Sequence, residues 1–310
     1  MSSSRDFQKR LEALNREPLP QRKKSDGEMK DIRRRIRKLR EENPPPQPIH
    51  YSRDLPRREP REEGPSVPAG PPVLLEDAAA GVEVDAPRGG KAYLITERLD
   101  GRGQDWAVLC KTFHDGLLTQ GSGMRRRLSA LLDTDRLRPQ DVLFMDLETT
   151  GLAGTPLFLI GTMVWEDGSL TVRQYLARDY SEERAVISFF LDGVAARKLL
   201  VSFNGKSFDL PYVRVRAAAN RIPFAVSAAH FDLLHECRRV WRRVLPDCRL
   251  QTLESRICGR VRHSDIPGSE IPEAYHAFVR TGNAVQMVQI LEHNKLDLAT
   301  LAELMVKLPP

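Results

Sequence analysis

The sequence predicts an α/β fold: a mixed β-sheet with helices on both faces, preceded by a disordered basic tail. Three observations predict it. Residues 142–148, VLFMDLE, open as an unbroken apolar run, as a strand buried on both faces requires. Residues 160–166 and 170–177 form two more strand-like segments split by Asp167-Gly168-Ser169, a hairpin signal. Finally LLVSFN at 199–204 is reached through a helical segment, which makes it a parallel neighbour of the first strand.

Taken in order, the chain divides into three parts. Residues 1–72 are rich in Pro, Arg and Glu and poor in large apolar side chains, a composition that cannot bury enough surface to fold. Within them, 29–43 has Ile32, Ile36 and Leu39 at helical spacing among Arg33, Arg34, Arg35, Arg37, Lys38 and Arg40, and Pro44 ends it. That stripe suits docking on the body, pairing with a protein partner or lying along phosphates. Residues 73–138 read as a small accessory β/α region: VEVDAP and KAYLITERL as strands about the turn at 88–90, then a helix near 124–133. Residues 139–308 hold the α/β pattern. There Ser181 is expected to cap a helix running to about Lys198, with Glu182 and Glu183 in its first turn. Beyond 204 the chain reads as mainly helical, with loops at 221–230 and 261–272, and Asn283 caps a last helix ending near Lys307.

Charge follows the same division. Residues 1–72 carry 18 Lys and Arg against 12 Asp and Glu, whereas residues 73–310 carry 30 of each. The whole excess of +6 therefore sits in the tail, as a solubilising segment or as a contact for an anionic partner such as nucleic acid. No apolar run approaches membrane-spanning length, and MSSSRDFQKR lacks the apolar core of a signal peptide, so a cytoplasmic protein without a membrane partner is expected. The four cysteines, Cys110, Cys237, Cys248 and Cys258, form no close-spaced pair, so reduced thiols are expected rather than a zinc site.

Carboxylates carry the chemistry. Asp146 and Glu148 are two apart on a strand and so project from one face. Two like charges about 4 Å apart repel by ~4 kcal/mol at an effective dielectric near 20, and a hard divalent cation is the usual remedy. Alone, the pair is a weak signal and more often describes solvated residues at a loop mouth. In SFNGKSFDLP (202–211), Asp209 opens a helix just past the second buried strand, and Pro211 suits its first turn. A parallel pairing brings Asp209 beside the first two acids, although an isolated Asp there is an ordinary helix cap. In LEHNKLDLATLAEL (291–304), His293 and Asp297 lie one helical turn apart on one face, as a surface pair also would.

Together, DLETTG, NxxxFD and HNxxD, in this order, resemble the DEDD exonuclease superfamily, which includes the proofreading domains of DNA polymerases. DLLHECRRVWR (232–242), RLQTLE (249–254) and DIPGSEIP (265–272) are further similar to bacterial ribonuclease H-like proteins of the YprB type. The likeness covers about 140–308. It implies a ribonuclease H-like fold and a metal-dependent nuclease, a 3′–5′ exonuclease on DNA or RNA, single-stranded or at an end. It implies Asp146, Glu148, Asp209 and Asp297 as ligands of two Mg²⁺ or Mn²⁺ ions, with His293 orienting or deprotonating the attacking water. The better-known branches place a tyrosine four residues, or a histidine five residues, before the last Asp; here the histidine stands at minus four. Thr149, Thr150 and Asn204 fall where substrate would be held, the two threonines alternatively capping the turn at Gly151. The Arg-rich stretch 238–262 (Arg238, Arg239, Arg242, Arg243, Arg249, Arg256, Arg260, Arg262) suits phosphate contact. Arg238, Arg242 and Arg249 share one helical face if the helix extends that far. The rival reading is an inactive nucleic-acid-binding or scaffold protein using the same fold and the basic tail.

Overall fold

The computed structural model describes residues 72–100, 106–119, 123–132, 137–151, 154–262 and 265–309. The expected tail and its 29–43 helix lie outside the described residues.

One seven-stranded sheet organises the body. Its strands are β1 (Val82–Asp85), β2 (Lys91–Arg98), β3 (Val142–Thr149), β4 (Leu157–Glu166), β5 (Ser169–Leu176), β6 (Leu199–Ser202) and β7 (Ala229–Asp232), in the spatial order β1-β2-β5-β4-β3-β6-β7. From β1 to β3 every pairing is antiparallel; β6 and β7 add in parallel beyond β3. The expected β4–β5 hairpin is present. Asp167 (φ 47°) and Gly168 (φ 79°) both take the left-handed conformation, which matches the twist of a two-residue hairpin. The stretch 73–138 supplies β1 and β2 to this same sheet, because β2 finds its partner in β5 along six residue pairs.

Helices cover both faces. In chain order they are α1 (Leu75–Ala78), α2 (Trp106–Leu118), α3 (Gly123–Leu132), α4 (Glu183–Ala195), α5 (Asp209–Ala219), α6 (Leu233–Trp241), α7 (Leu250–Leu253), α8 (Ile271–Thr281) and α9 (Val285–Lys307). Strand alternation divides the core in two. Leu143, Met145 and Leu147 of β3 pack with α4, α5 and α8, through Val186, Phe190, Val213, Tyr275 and Phe278. Val142 and Phe144 face the other way, toward Phe113 of α2, Leu128 of α3, Cys237 of α6 and Leu298, Leu301 and Met305 of α9. Asp146 and Glu148 share the parity of Val142 and Phe144, so they project on the face that the second half of α9 covers.

Three local expectations are corrected. Asp179, not Ser181, caps the α4 segment: its extended backbone lets its carboxylate accept from the Ser181 amide at 2.7 Å, and a 3₁₀ turn at Tyr180–Glu182 leads into the helix. The stretch read as a loop at 221–230 contains the start of β7, a short strand whose partner lies thirty residues earlier. The helix carrying Arg238 stops at Trp241, and Pro246 follows, so no continuous helical face reaches Arg249. Asn283 does accept from the Val285 amide at the start of α9 (3.2 Å). Among the described residues, no helix is long and apolar enough to cross a membrane.

Candidate active site

Because β3, β6 and β7 run parallel, their carboxyl ends open at one edge of the sheet, the edge at which such sheets bind ligands. Asp146 and Glu148 stand at the end of β3, and a β-bulge between Glu148 and Thr149 turns the chain away from them. Asp209 enters as the first residue of α5, just past β6. Its helix is held by Arg216, which pairs with buried Glu183 of α4 at 2.6 Å. Asp297 descends from α9.

The four acids converge. Burial raises Asp146 well above the usual carboxylate range, and the charges of Asp297, Glu148 and Asp209 raise it further. Glu148 is raised likewise by burial, then by Asp297, Asp209 and Asp265. Burial pushes Asp209 to about 7. Asp297 is raised by burial, with Arg262 and His293 opposing the rise. Asp146 and Glu148 both feel Asp209 and Asp297, so acids from three separate stretches of chain meet at the same edge of the sheet.

Each is held by neighbours. Asn294 Nδ2 donates to Asp146 Oδ2 at 2.8 Å, and Asn294 Oδ1 accepts from Gln174 Nε2 at 2.9 Å. Asp146, Gly161 and Gln174 form one cross-strand row through β3, β4 and β5. Gly161 is the residue in that row that leaves room for Asn294, since a Cβ there would stand 2.0 Å from Asn294 Oδ1. Arg262 donates to Asp297 Oδ1 and, at 2.7 Å, to Glu254 Oε2, and is nearly buried between them. His293 lies between two acids, with Nδ1 2.8 Å from Asp265 Oδ1 and Nε2 3.6 Å from Asp297 Oδ2. Asp232, the cap of α6, accepts from the amides of Asn204 (2.8 Å), Lys206 (3.0 Å) and Leu234 (3.1 Å), and so fixes the turn that delivers Asp209. Beside that turn, His230 shares a 2.7 Å hydrogen bond with Ser202 and is pushed down to about 4 by burial.

A model of the RNase_H superfamily matches residues 143–309, which span the crevice and every element that builds it except β1, β2 and the helices beside them. The chain belongs to the RNase_H superfamily. It is 35% identical to the uncharacterized protein YprB of Bacillus subtilis (strain 168) over 185 residues, 58% of this chain and 44% of that protein. The chain thus spans less than half of the length of that relative. The structure of the family B DNA polymerase from the hyperthermophilic archaeon Pyrobaculum calidifontis aligns with 54% of this chain and 24% of its own, at a TM-score of 0.45 and 20% identity.

Within this RNase_H-superfamily body, the other residues expected at the site divide. Thr149 Oγ1 donates to the Gly151 carbonyl (2.7 Å) and Thr150 Oγ1 to that of Pro156 (2.9 Å), so both hold the turn that frames the crevice. Asn204 takes a left-handed backbone (φ 65°), and its carbonyl accepts from Ser207 and Phe208. Arg238 is exposed on the helix capped by Asp232, roughly 9 Å along its axis past that cap, and Arg242 is exposed just beyond the helix end. Arg249 stands apart from them, beside Asp247. Arg260 and Arg262 are not free for phosphate. Arg260 pairs with Glu254 and Glu303 and stacks over Trp106, and Arg262 is committed to Glu254 and Asp297.

Sequence reasoning missed Asp232, Asn294, Gln174, Gly161, Glu254 and Asp265, and took Arg262 for a phosphate contact. Asp232 and Asn294 had a visible signal, as a cap before DLLHEC and as the middle of HNxxD. The others act through residues far away in sequence.

The donor set fits a hard divalent cation: four oxygen-bearing acids, Asp209 buried and Asp146, Glu148 and Asp297 half-buried, with Arg262 and His293 as the positive groups that reach Asp297. Among the described residues, no three His, Cys, Asp or Glu side chains stand close enough to hold a metal ion as they are. In this arrangement Arg262 holds one oxygen of Asp297, and Asn294 holds one of Asp146.

Proposed function

We propose that the chain is a divalent-metal-dependent nuclease, a 3′–5′ exonuclease hydrolysing phosphodiester bonds of DNA or RNA. The observation that carries this reading is the meeting of Asp146, Glu148, Asp209 and Asp297 at one edge of the sheet, all four raised by burial and Asp146 and Glu148 raised further by the charges of Asp209 and Asp297. A protein gains nothing in stability from such a cluster, so a ligand of opposite charge is its natural purpose.

Asp146, Glu148, Asp209 and Asp297 would hold two Mg²⁺ or Mn²⁺ ions, which supply a low-pKa water and stabilise the leaving 3′ oxygen. The chain's own residues do the positioning. Asn294 donates to one Asp146 oxygen and so fixes the carboxylate at the end of its strand. His293 turns Nε2 toward Asp297 and can take a proton from a water there. Thr149, Thr150 and Asn204 frame the place of the terminal nucleotide. Arg238 and Arg242, and separately Arg249, are exposed for contact with the phosphates beyond it. Nucleic acid is the partner, and the cytoplasm the compartment, that this reading implies.

One observation favours the rival reading, a scaffold or binding protein without turnover: Arg262 already neutralises Asp297. A single experiment separates the two. End-labelled single- and double-stranded DNA and RNA are incubated with the full chain in Mg²⁺, Mn²⁺ or chelator. The nuclease reading expects a ladder shortening from the 3′ end, lost in chelator and in Asp146→Ala. Intact substrate with every metal, or full turnover by Asp146→Ala, rejects it.

A further inference from the structure

The segment DIPGSEIP is unused by the scheme above, yet its first residue reaches the site. Asp265 stands ahead of α8, anchored by its neighbour Ile266, which is buried in the core, and by the turn in which Glu270 donates to the Pro267 carbonyl. Its Oδ1 lies 2.8 Å from His293 Nδ1, and its Oδ2 lies 3.4 Å from Arg262 Nη1. His293 is itself buried, and Arg262 Nη1 also donates to its carbonyl. Asp265 therefore belongs to a fixed surround.

A carboxylate only accepts, so the proton of a neutral His293 lies on Nδ1, between the ring and Asp265. Nε2 is then left with its lone pair. The nearest acid to it, Asp297 Oδ2 at 3.6 Å, is beyond hydrogen-bond distance, so that lone pair is turned toward Asp297 without being taken up by it. Rotating the ring by a half-turn would point carbon at both acids. We propose that Asp265 is a positioning residue for His293: it selects the Nδ1–H tautomer and holds the ring plane so that Nε2 faces the four-acid crevice. An acid behind a working histidine acts in this way in many sites, fixing which nitrogen is presented. The inference rests on the nuclease reading for its kinetic consequence, but its geometric content stands apart from that reading.

The test uses the full chain labelled with ¹⁵N-histidine, with His293 assigned by its loss in His293→Ala. At a pH where the ring is neutral, the nitrogen shifts of the wild type should show Nδ1 protonated and Nε2 bare. Asp265→Ala should lose that bias. Asp265→Asn, which keeps an accepting oxygen, should retain it. In single-turnover hydrolysis, Asp265→Ala should lower the rate ~10–100-fold with KM unchanged. Asp265→Asn should recover most of the loss, and Asp265→Ala should add nothing in a His293→Ala background. Mn²⁺ affinity by calorimetry should stay within about twofold in both variants. A wild-type His293 carrying its proton on Nε2 overturns the proposal even if Asp265→Ala fails to fold. So does an Asp265→Ala enzyme of wild-type rate, or one that loses as much again without His293. Should the wild type show no metal-dependent turnover, the nuclease reading fails, and the nitrogen shifts still decide the role of Asp265.

Discussion

Asp209 offers the sharpest measure of the cost of burying an acid at this site without a cation. Burial holds its carboxyl near pH 7 instead of the usual 3.8. The folded chain therefore keeps this proton up to about pH 7, while the unfolded chain releases it near 3.8. Stability conferred by the raised group is complete below about pH 4 and lost as the pH climbs to 7. The gap is worth ~4 kcal/mol at ~1.4 kcal/mol per pH unit, and relaxation of the crevice reduces this to ~2–4 kcal/mol. Asp209→Asn keeps the shape and removes the charge. In chelator at about pH 8 it should therefore raise stability by ~2–4 kcal/mol, or roughly 5–15 °C in midpoint for a body of this size. Near pH 4 the two proteins should unfold together. Urea titration followed by circular dichroism across this pH range reads the difference directly. Added Mg²⁺ should stabilise the wild type more than the variant, because only the wild type offers the full set of ligands. A variant that is no more stable than the wild type at pH 8, or equally stabilised at both pH values, would refute the argument that the burial of Asp209 is uncompensated.

Other perturbations test the surround. Arg262→Met leaves Glu254 and Asp297 buried without their shared guanidinium, and should cost ~3–5 kcal/mol by urea denaturation in chelator, with partial recovery on adding Mg²⁺; an unchanged midpoint would mean that the pair is already solvated. Gly161→Ala drives a methyl into Asn294 and should cost ~1–3 kcal/mol while lowering turnover, because Asp146 loses its amide partner. Wild-type melting and rate in that variant would show that the helix can step aside. Asp232→Ala removes three amide contacts, and a loss of ~1–2 kcal/mol is expected from the helix cap alone. Its hydrolysis rate should fall further than that loss predicts, since the 204–206 turn sets Asp209; a rate that follows stability alone would confine Asp232 to capping.

The legible parts of this protein were those whose signal is local. Apolar runs at 142–148 and 199–204 announced buried strands because a strand covered on both faces has no polar side to show. The parity of Asp146 and Glu148 and the helical spacing of His293 and Asp297 followed from backbone periods of two and 3.6, which no tertiary contact can change. Residues whose role depends on a distant partner were silent. β7 is four residues long and exists as a strand through its pairing with β6. Asp179 displaced Ser181 as a cap on the strength of one extended backbone angle. Arg260 and Arg262 looked like their exposed neighbours Arg238 and Arg242 in sequence, yet α9 and the π-helical turn at Glu254–Cys258 surround them with acids and withdraw them from solvent. Side-chain period and composition therefore determined which residues face one another along each element. Only the packing of α9 across β3, β4 and β5 decided which charges meet, because the energy of a buried charge is set by what lies within a few ångströms of it, whatever its place in the chain.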